Sequence, residues 1–307
     1  MDFGRLADIS QVDFRLPDVD LLSEAFLATI PVRAGKPRVY AGPTGWAMPR
    51  WVGRWYPPGT PGKDFLKHYS RQFNTVEHNS TFYAIPDIAT VQRWKEDTSD
   101  DFLFCPKVPQ AISRAIDLGV KGSDLPLFLQ NIGMLGEKLG CCFIQLPPQF
   151  HTGSLSKLET FLRAWDDKIP LAVEARHASF FDNSLQSRAF FNTLQYHRKT
   201  AVITDVAGRR DILHQKLTSE RVVIRFVGNG LHQTDYERIN EWVQRLKIWF
   251  EWGLHEVFFF VHQPDNLLAP ELTLYLAEEI ERTFAAELRI PSVCKPEDEK
   301  DSQMSLF

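Results

Sequence analysis

Eight short apolar runs, separated by amphipathic stretches, limit most strongly what this chain can fold into. They fall at residues 38–41, 75–77, 102–107, 141–145, 171–174, 201–204, 222–226 and 257–261. Runs this short and this continuously apolar suit strands buried on both faces, as in a parallel sheet. The stretches between them read as helices. Leu155, Leu158, Leu162 and Trp165 recur at helical spacing, with Ser156 and Glu159 set as a capping box. Tyr236, Ile239, Val243, Leu246 and Phe250 repeat the pattern, as do Leu272, Leu276 and Ile280. Eight strands joined mostly by helices over roughly 250 residues predict an α/β fold, a single (β/α)8 TIM-like barrel. Between Asp205 and Arg221 there is room only for a short helix. The alternative is a doubly wound open sheet, which usually carries a Gly-rich turn after its first strand. Gly42-Pro43-Thr44-Gly45 is a poor version of that turn.

The flanks read differently. Residues 1–37 form an N-terminal extension, with a helix expected near 21–30, before the barrel at 38–290. Residues 291–307 turn polar and charged, a composition that cannot build a core, and read as a flexible, disordered C-terminal tail. Lys and Arg number 35 against 39 Asp and Glu, a net charge of −4. That excludes a broadly basic nucleic-acid coat but leaves room for a local basic groove. No apolar run is long enough to span a membrane, and the N-terminus lacks a secretory pattern. Cys105, Cys141, Cys142 and Cys294 form no C-x-x-C pair and read as reduced thiols of a cytoplasmic protein.

Nearly every apolar run ends on a group that ionises or donates hydrogen bonds. In order these are Trp46 in the first loop, Glu77, Lys107, Gln145, Glu174 with Arg176 and His177, Asp205, Arg225, and His262 with Gln263. A barrel gathers such positions at its C-terminal mouth. A buried charge needs a partner or a ligand, since desolvation costs several kcal/mol per ion. One reading is an ion-pair ring that closes the mouth. The other, favoured because the groups arrive from separate strands, is a pocket for an anionic substrate, with Lys107, Arg176 and Arg225 holding phosphate or carboxylate. Glu77 or Glu174 would then act as general acid or base. Glu174, His177, Asp205 and His262 are acceptable ligand types for zinc or manganese, but no local metal signature is present. A divalent metal is therefore not favoured, and no nucleotide-cofactor motif is found. Trp46, Trp51, Trp55 and Tyr56 crowd the first loop, where they either stack on a ligand or cap the barrel inward.

Several segments together resemble one family. They are Gly45-Trp46 with Trp51, Gly53 and Tyr56-Pro57, then Val76-Glu77-His78-Asn79-Ser80-Thr81-Phe82-Tyr83, Phe104 and Lys107. Gln145-Leu146-Pro147-Pro148, Val173-Glu174-Ala175-Arg176-His177 and Arg225-Phe226-Val227-Gly228 complete the set. This pattern is similar to the domain-of-unknown-function-72 (YecE-like) family, and the resemblance implies a TIM barrel without a known activity. Carried over, it points to Glu77, Asn79, Ser80, Tyr83, Lys107, Gln145, Glu174, Arg176, His177 and Arg225. Ala175 stands where an aromatic is usual, and the eighth run ends on His262-Gln263 where an Asn is usual. The combined expectation places catalysis on Glu77, Lys107, Glu174, His177 and Asp205. It places substrate binding on Trp46, Asn79, Ser80, Tyr83, Gln145, Arg176, Arg225 and His262.

The chain stops at Gln303-Met304-Ser305-Leu306-Phe307, which resembles the bacterial sliding-clamp-binding pentapeptide. Gln303 would bond a groove edge while Leu306 and Phe307 fill an apolar pocket. Together these features suggest a phosphoester hydrolase acting on nucleic acid in a repair setting and recruited by a DNA sliding clamp. The alternatives are a non-catalytic adaptor for a small anionic ligand, or a metal-assisted sugar or phosphoester enzyme.

Overall fold

Each of the eight apolar runs forms a strand. In the computed structural model, which describes residues 4–294, these are β1 (Arg38–Pro43), β2 (Thr75–His78), β3 (Leu103–Pro106) and β4 (Cys142–Gln145). They continue with β5 (Leu171–Glu174), β6 (Thr200–Asp205), β7 (Arg221–Val227) and β8 (Glu256–His262). The helices are α1 (Leu21–Leu27), α2 (Phe65–Gln72), α3 (Ile88–Glu96), α4 (Gln110–Ser113) and α5 (Asp124–Gly133). They are followed by α6 (Leu155–Ala164), α7 (Leu185–Tyr196), α8 (Gln233–Glu251) and α9 (Ala269–Thr283). Starts are fixed by local caps: the Asp87 side chain accepts from Thr90 N at the head of α3, and Ser184 Oγ from Ser187 N at the head of α7. The expected Ser156 capping box does not form. Helix α6 already begins at Leu155, and Glu159 instead pairs with Arg163 one turn on.

All strand pairs are parallel. Six strands run β1-β8-β7-β6-β5-β4, and β2 pairs with β3. Two seams close the ring into a barrel. Between β3 and β4, Gly140 N donates to Phe104 O and Val108 N to Phe143 O, at 2.9 and 2.8 Å. Between β1 and β2, side chains replace the ladder. Asn74 accepts from Ala41 N and donates to Val39 O, at 3.0 and 2.8 Å. The Tyr69 hydroxyl lies 3.0 Å from both Pro43 O and Thr75 O. The strands come so close that a Cβ on Gly42 would sit 2.2 Å from Thr75 O, so only glycine fits there.

The strand period of two sorts the side chains. Outward residues such as Val222, Ile224 and Phe226 pack under the helices. Inward ones, among them Cys105, Phe143, Ala172, Val202, Val223, Phe258 and Phe260, fill the barrel's interior. Two residues further along β3 to β8 the interior turns polar.

The connection from β6 to β7 holds no α-helix, only a 3-10 stretch at Ala207–Ile212. The N-terminal extension takes the missing helix's place. Helix α1 buries Leu27 with Leu213, Leu217 and Ile224. Ser23 Oγ accepts from Leu217 N at 2.8 Å, and Asp20, which caps α1, pairs with Lys216 at 3.2 Å. At the other end the chain stays fastened past the expected start of the tail. Pro291 is buried, Ser292 N donates to Gln72 Oε1, and Cys294 N donates to Arg54 O. Gln303, Leu306 and Phe307 lie outside the described residues.

Candidate functional site

At the C-terminal end of the barrel lies a cavity of about 1240 Å³ to which the end of every strand contributes. Thr44, Asn79, Lys107, Gln145, Arg176, Val206, Val227 and His262 follow or end β1 to β8 in turn. The strand alternation explains its floor. Two positions beyond the apolar interior layer stand Glu77, Lys107, Gln145, Glu174, Thr204, Arg225 and His262.

These side chains form one connected network. Lys107 Nζ donates to Gln145 Oε1 at 3.1 Å, and Gln145 Nε2 donates to Glu174 Oε2 at 2.7 Å. Arg225, fully buried, bonds Glu174 through Nη1 and Glu77 through Nε and Nη2, each at 2.8 Å. Glu77 also accepts from Asn79 Nδ2 at 2.8 Å and lies 3.0 Å from His262 Nε2. Glu174 further accepts from Arg176 Nε at 3.0 Å and Thr204 Oγ1 at 3.3 Å. The Phe143 ring lies beneath, 5.5 Å from the Arg225 guanidinium and 5.8 Å from Lys107 Nζ.

Charge follows from this geometry. Burial opposes ionisation of Glu77, but Arg225 and His262 overturn that and hold it well below the usual carboxylate range. Burial also opposes ionisation of Glu174, yet Arg225 and Arg176 bring it down to about 2. Both glutamates are therefore ionised at neutral pH and anchor the network around Arg225. Two carboxylates are matched by two guanidiniums. Lys107 is the surplus cation of this set, and burial together with Arg225 brings it down to about 8. Burial also lowers His262, keeping its imidazole neutral. With Nε2–H directed at Glu77, its other ring nitrogen is the basic one.

Other expected residues go elsewhere. Asp205 is one position out of phase with Thr204 and faces the helices. There it is buried against Arg238, Arg210 and Trp242, with Trp242 Nε1 at 2.7 Å. Phe14 of the extension lies under both guanidiniums, 5.0 Å from Arg238 and 5.5 Å from Arg210. His177 accepts from Ser179 N at 3.2 Å and caps the short turn after β5. Trp46 packs on His78, at 4.6 Å, and on Trp94 and Phe104. Ser80 Oγ bonds His78 Nε2 at 2.6 Å, and that imidazole, buried outside the barrel, is pushed down to about 3. None of these lines the cavity. The aromatic loop points inward: Trp51, Trp55 and Tyr56 are buried, and Trp51 Nε1 donates to Leu267 O. Glu174, His177, Asp205 and His262 do not converge. Among the described residues, no three His, Cys, Asp or Glu side chains group as metal ligands.

The matches to known proteins agree with this architecture. A family model described as "Protein of unknown function DUF72" covers residues 40–296. The chain belongs to the DUF72 family. It is 31% identical to the UPF0759 protein YecE of Escherichia coli (strain K12) over 273 residues, covering 83% of this chain and 97% of YecE. It is 26% identical over 160 residues to the UPF0759 protein YunF of Bacillus subtilis (strain 168), covering 47% of this chain and 52% of YunF. In fold it is similar to a DUF72 protein of Enterococcus faecalis V583, with TM-score 0.65 and 17% identity over 80% of this chain and 97% of that one. A DUF72 protein of Thermotoga maritima MSB8 aligns with TM-score 0.62 and 23% identity over 80% of this chain and 99% of that one. Among the described residues, no helix is long and apolar enough to cross a membrane.

The family model starts at residue 40, but the cavity does not. Residues 4–7 and Ile9 form part of its wall. They are held by Gly208 N donating to Gly4 O at 2.7 Å, and a Cβ on Gly208 would meet that oxygen at 2.8 Å. Nothing in the sequence marks these residues as part of the site. Gln263, read from the sequence only as part of the eighth strand end, also lines the cavity; Asn266, just past that strand, was missed, and Phe82 lies inside the quoted motif.

Proposed function

We propose that the mouth binds a small polar substrate carrying a carboxylate or phosphate and acts on it. One observation carries this reading: the cavity is net basic on a chain of net charge −4. Its charged lining is Arg5, Lys107 and Arg176 against Asp265, which pairs with Arg50 at 3.3 Å. The buried network below is already balanced, so an anion in the mouth would partner Lys107 rather than compete with Glu77 or Glu174. The cavity's size suits one metabolite or a few linked units. Glu77 and Glu174 fix Arg225, His262 and Gln145, and Lys107, brought down to about 8, can exchange a proton near neutral pH.

The test is a thermal-shift panel of phosphates and carboxylates, since a ligand of the native state stabilises by RT ln(1 + [L]/Kd). Some members should raise Tm in the wild type and fail to do so in a Lys107→Met/Arg176→Leu variant. No shift with any anion, or equal shifts in both proteins, would refute the reading.

A nucleic-acid substrate has one observation in its favour. A groove adjoining the mouth is lined by Phe82, exposed Tyr83 and Arg114, whose guanidinium lies 5.3 Å from the Phe82 ring. Bases of a single strand would stack there while a phosphate entered the mouth. Tyr83→Ala would then weaken oligonucleotide binding about tenfold or more, and leave phosphate binding unchanged. Recruitment to a sliding clamp through Gln303, Leu306 and Phe307 rests on the sequence pattern. Titrating a labelled C-terminal peptide with purified clamp tests it, and no saturation at tens of micromolar would end the idea.

A further inference from the structure

Lys107 combines three features seldom found together. Its backbone is fixed from two sides: Lys107 N donates to His78 O at 3.1 Å, and Lys107 O accepts from Thr81 Oγ1 at 2.7 Å. The residue as a whole is buried, with its ammonium 4.4 Å from the centre of the Phe82 ring, yet it borders the open cavity. Among the described residues it makes no ion pair. Its hydrogen-bond partner is the Gln145 amide, because Arg225 and Arg176 already engage the nearby carboxylates. A desolvated amine beside fixed cations is the environment that turns lysine into a nucleophile.

We propose that Lys107 condenses with the carbonyl group of an anionic aldehyde or ketone to form an imine. The inference rests on the anion-binding reading of the mouth and narrows its substrate class to carbonyl compounds bearing a carboxylate or phosphate. The Nζ lone pair attacks the carbonyl carbon and the C=O π electrons move to oxygen. The nitrogen gives up a proton and the oxygen takes one, with His262 as the relay in the same cavity. A second proton, drawn from solvent through His262, goes to the carbinolamine hydroxyl; the C–O bond breaks, oxygen leaves as water, and the nitrogen lone pair forms C=N. Amine plus carbonyl plus one proton gives iminium plus water, with no change of oxidation state. The resulting iminium keeps its positive charge above Glu174 and Glu77, which replaces the charge that Lys107 carried. Burial and Arg225 bring the amine down to about 8, so about a tenth of it is neutral at pH 7, against less than a thousandth for an ordinary lysine.

The experiment incubates the full chain with pyruvate or pyridoxal phosphate, reduces with cyanoborohydride, and maps adducts by mass spectrometry. Lys107 should carry the dominant adduct, saturating with probe concentration. Its labelling rate should rise about tenfold from pH 7 to pH 9 and level off, while surface lysines rise about a hundredfold without levelling. Lys107→Arg should lose this adduct and still be stabilised by inorganic phosphate. Equal labelling of Lys107 and surface lysines overturns the inference. An unlabelled Lys107 in a protein that phosphate still stabilises overturns the imine alone. Failure of both labelling and phosphate stabilisation removes the anion site as well.

Discussion

Replacing Arg225 by methionine removes the central cation of the polar layer and nothing else of comparable size. Glu77 then loses its bonds from Arg225 Nε and Nη2, and Glu174 its bond from Arg225 Nη1. Glu174 keeps Arg176, so the charge left buried without a cation is that of Glu77. Breaking a buried pair from one side costs about 3–5 kcal/mol, because the remaining ion is desolvated and unpaired. The pH dependence follows from the direction of the shifts. In the native protein both glutamates titrate below their unfolded values, Glu174 at about 2. The stability they contribute is full above about pH 4.5 and is lost as pH falls through the folded values. In Arg225→Met the Glu77 carboxyl titrates above its unfolded value, so the variant is penalised as pH rises. Urea unfolding should therefore show a loss of about 3–5 kcal/mol at pH 7, shrinking by about half at pH 4. Adding Glu77→Gln to the variant should recover part of the loss at pH 7. A loss below about 1 kcal/mol, or one independent of pH, would refute the coupling of these charges.

Other outcomes test the scaffold. Asn74→Ala should cost about 2–4 kcal/mol in urea unfolding, because Val39 O and Ala41 N lose their partner at the β1–β2 seam. Leu27→Ala should cost about 2–5 kcal/mol if α1 stands in for the missing helix; a cost near that of a surface change would mean the extension is dispensable. Gly208→Val should expel the segment around Gly4, seen as faster proteolysis within the first ten residues and altered anion affinity, with the barrel's Tm little changed.

The barrel was legible because its strands are buried on both faces, which leaves unbroken apolar runs. The site was legible in part, for a related reason. A polar residue at a strand end enters the barrel only if it is in phase with the inward alternation. Glu77, Glu174 and Arg225 continue the inward alternation, whereas Asp205 follows inward Thr204 and so turns to the helices. The His177 ring is used by the local turn it caps. Two features were not legible. The helix missing after β6 is supplied by residues distant in sequence, and the wall at residues 4–9 depends on a backbone contact at Gly208. Neither leaves a local pattern. The ion pairs of the expected ring form around Arg225, and on the proposed reading Lys107 is left for a ligand.

The central claim is that the mouth holds an anion at Lys107. Crystals soaked in selenate and examined at the selenium edge test it most directly. The account predicts an anomalous peak inside the cavity within hydrogen-bond reach of Lys107 Nζ. Peaks confined to the outer surface, with water beside Lys107, would contradict it.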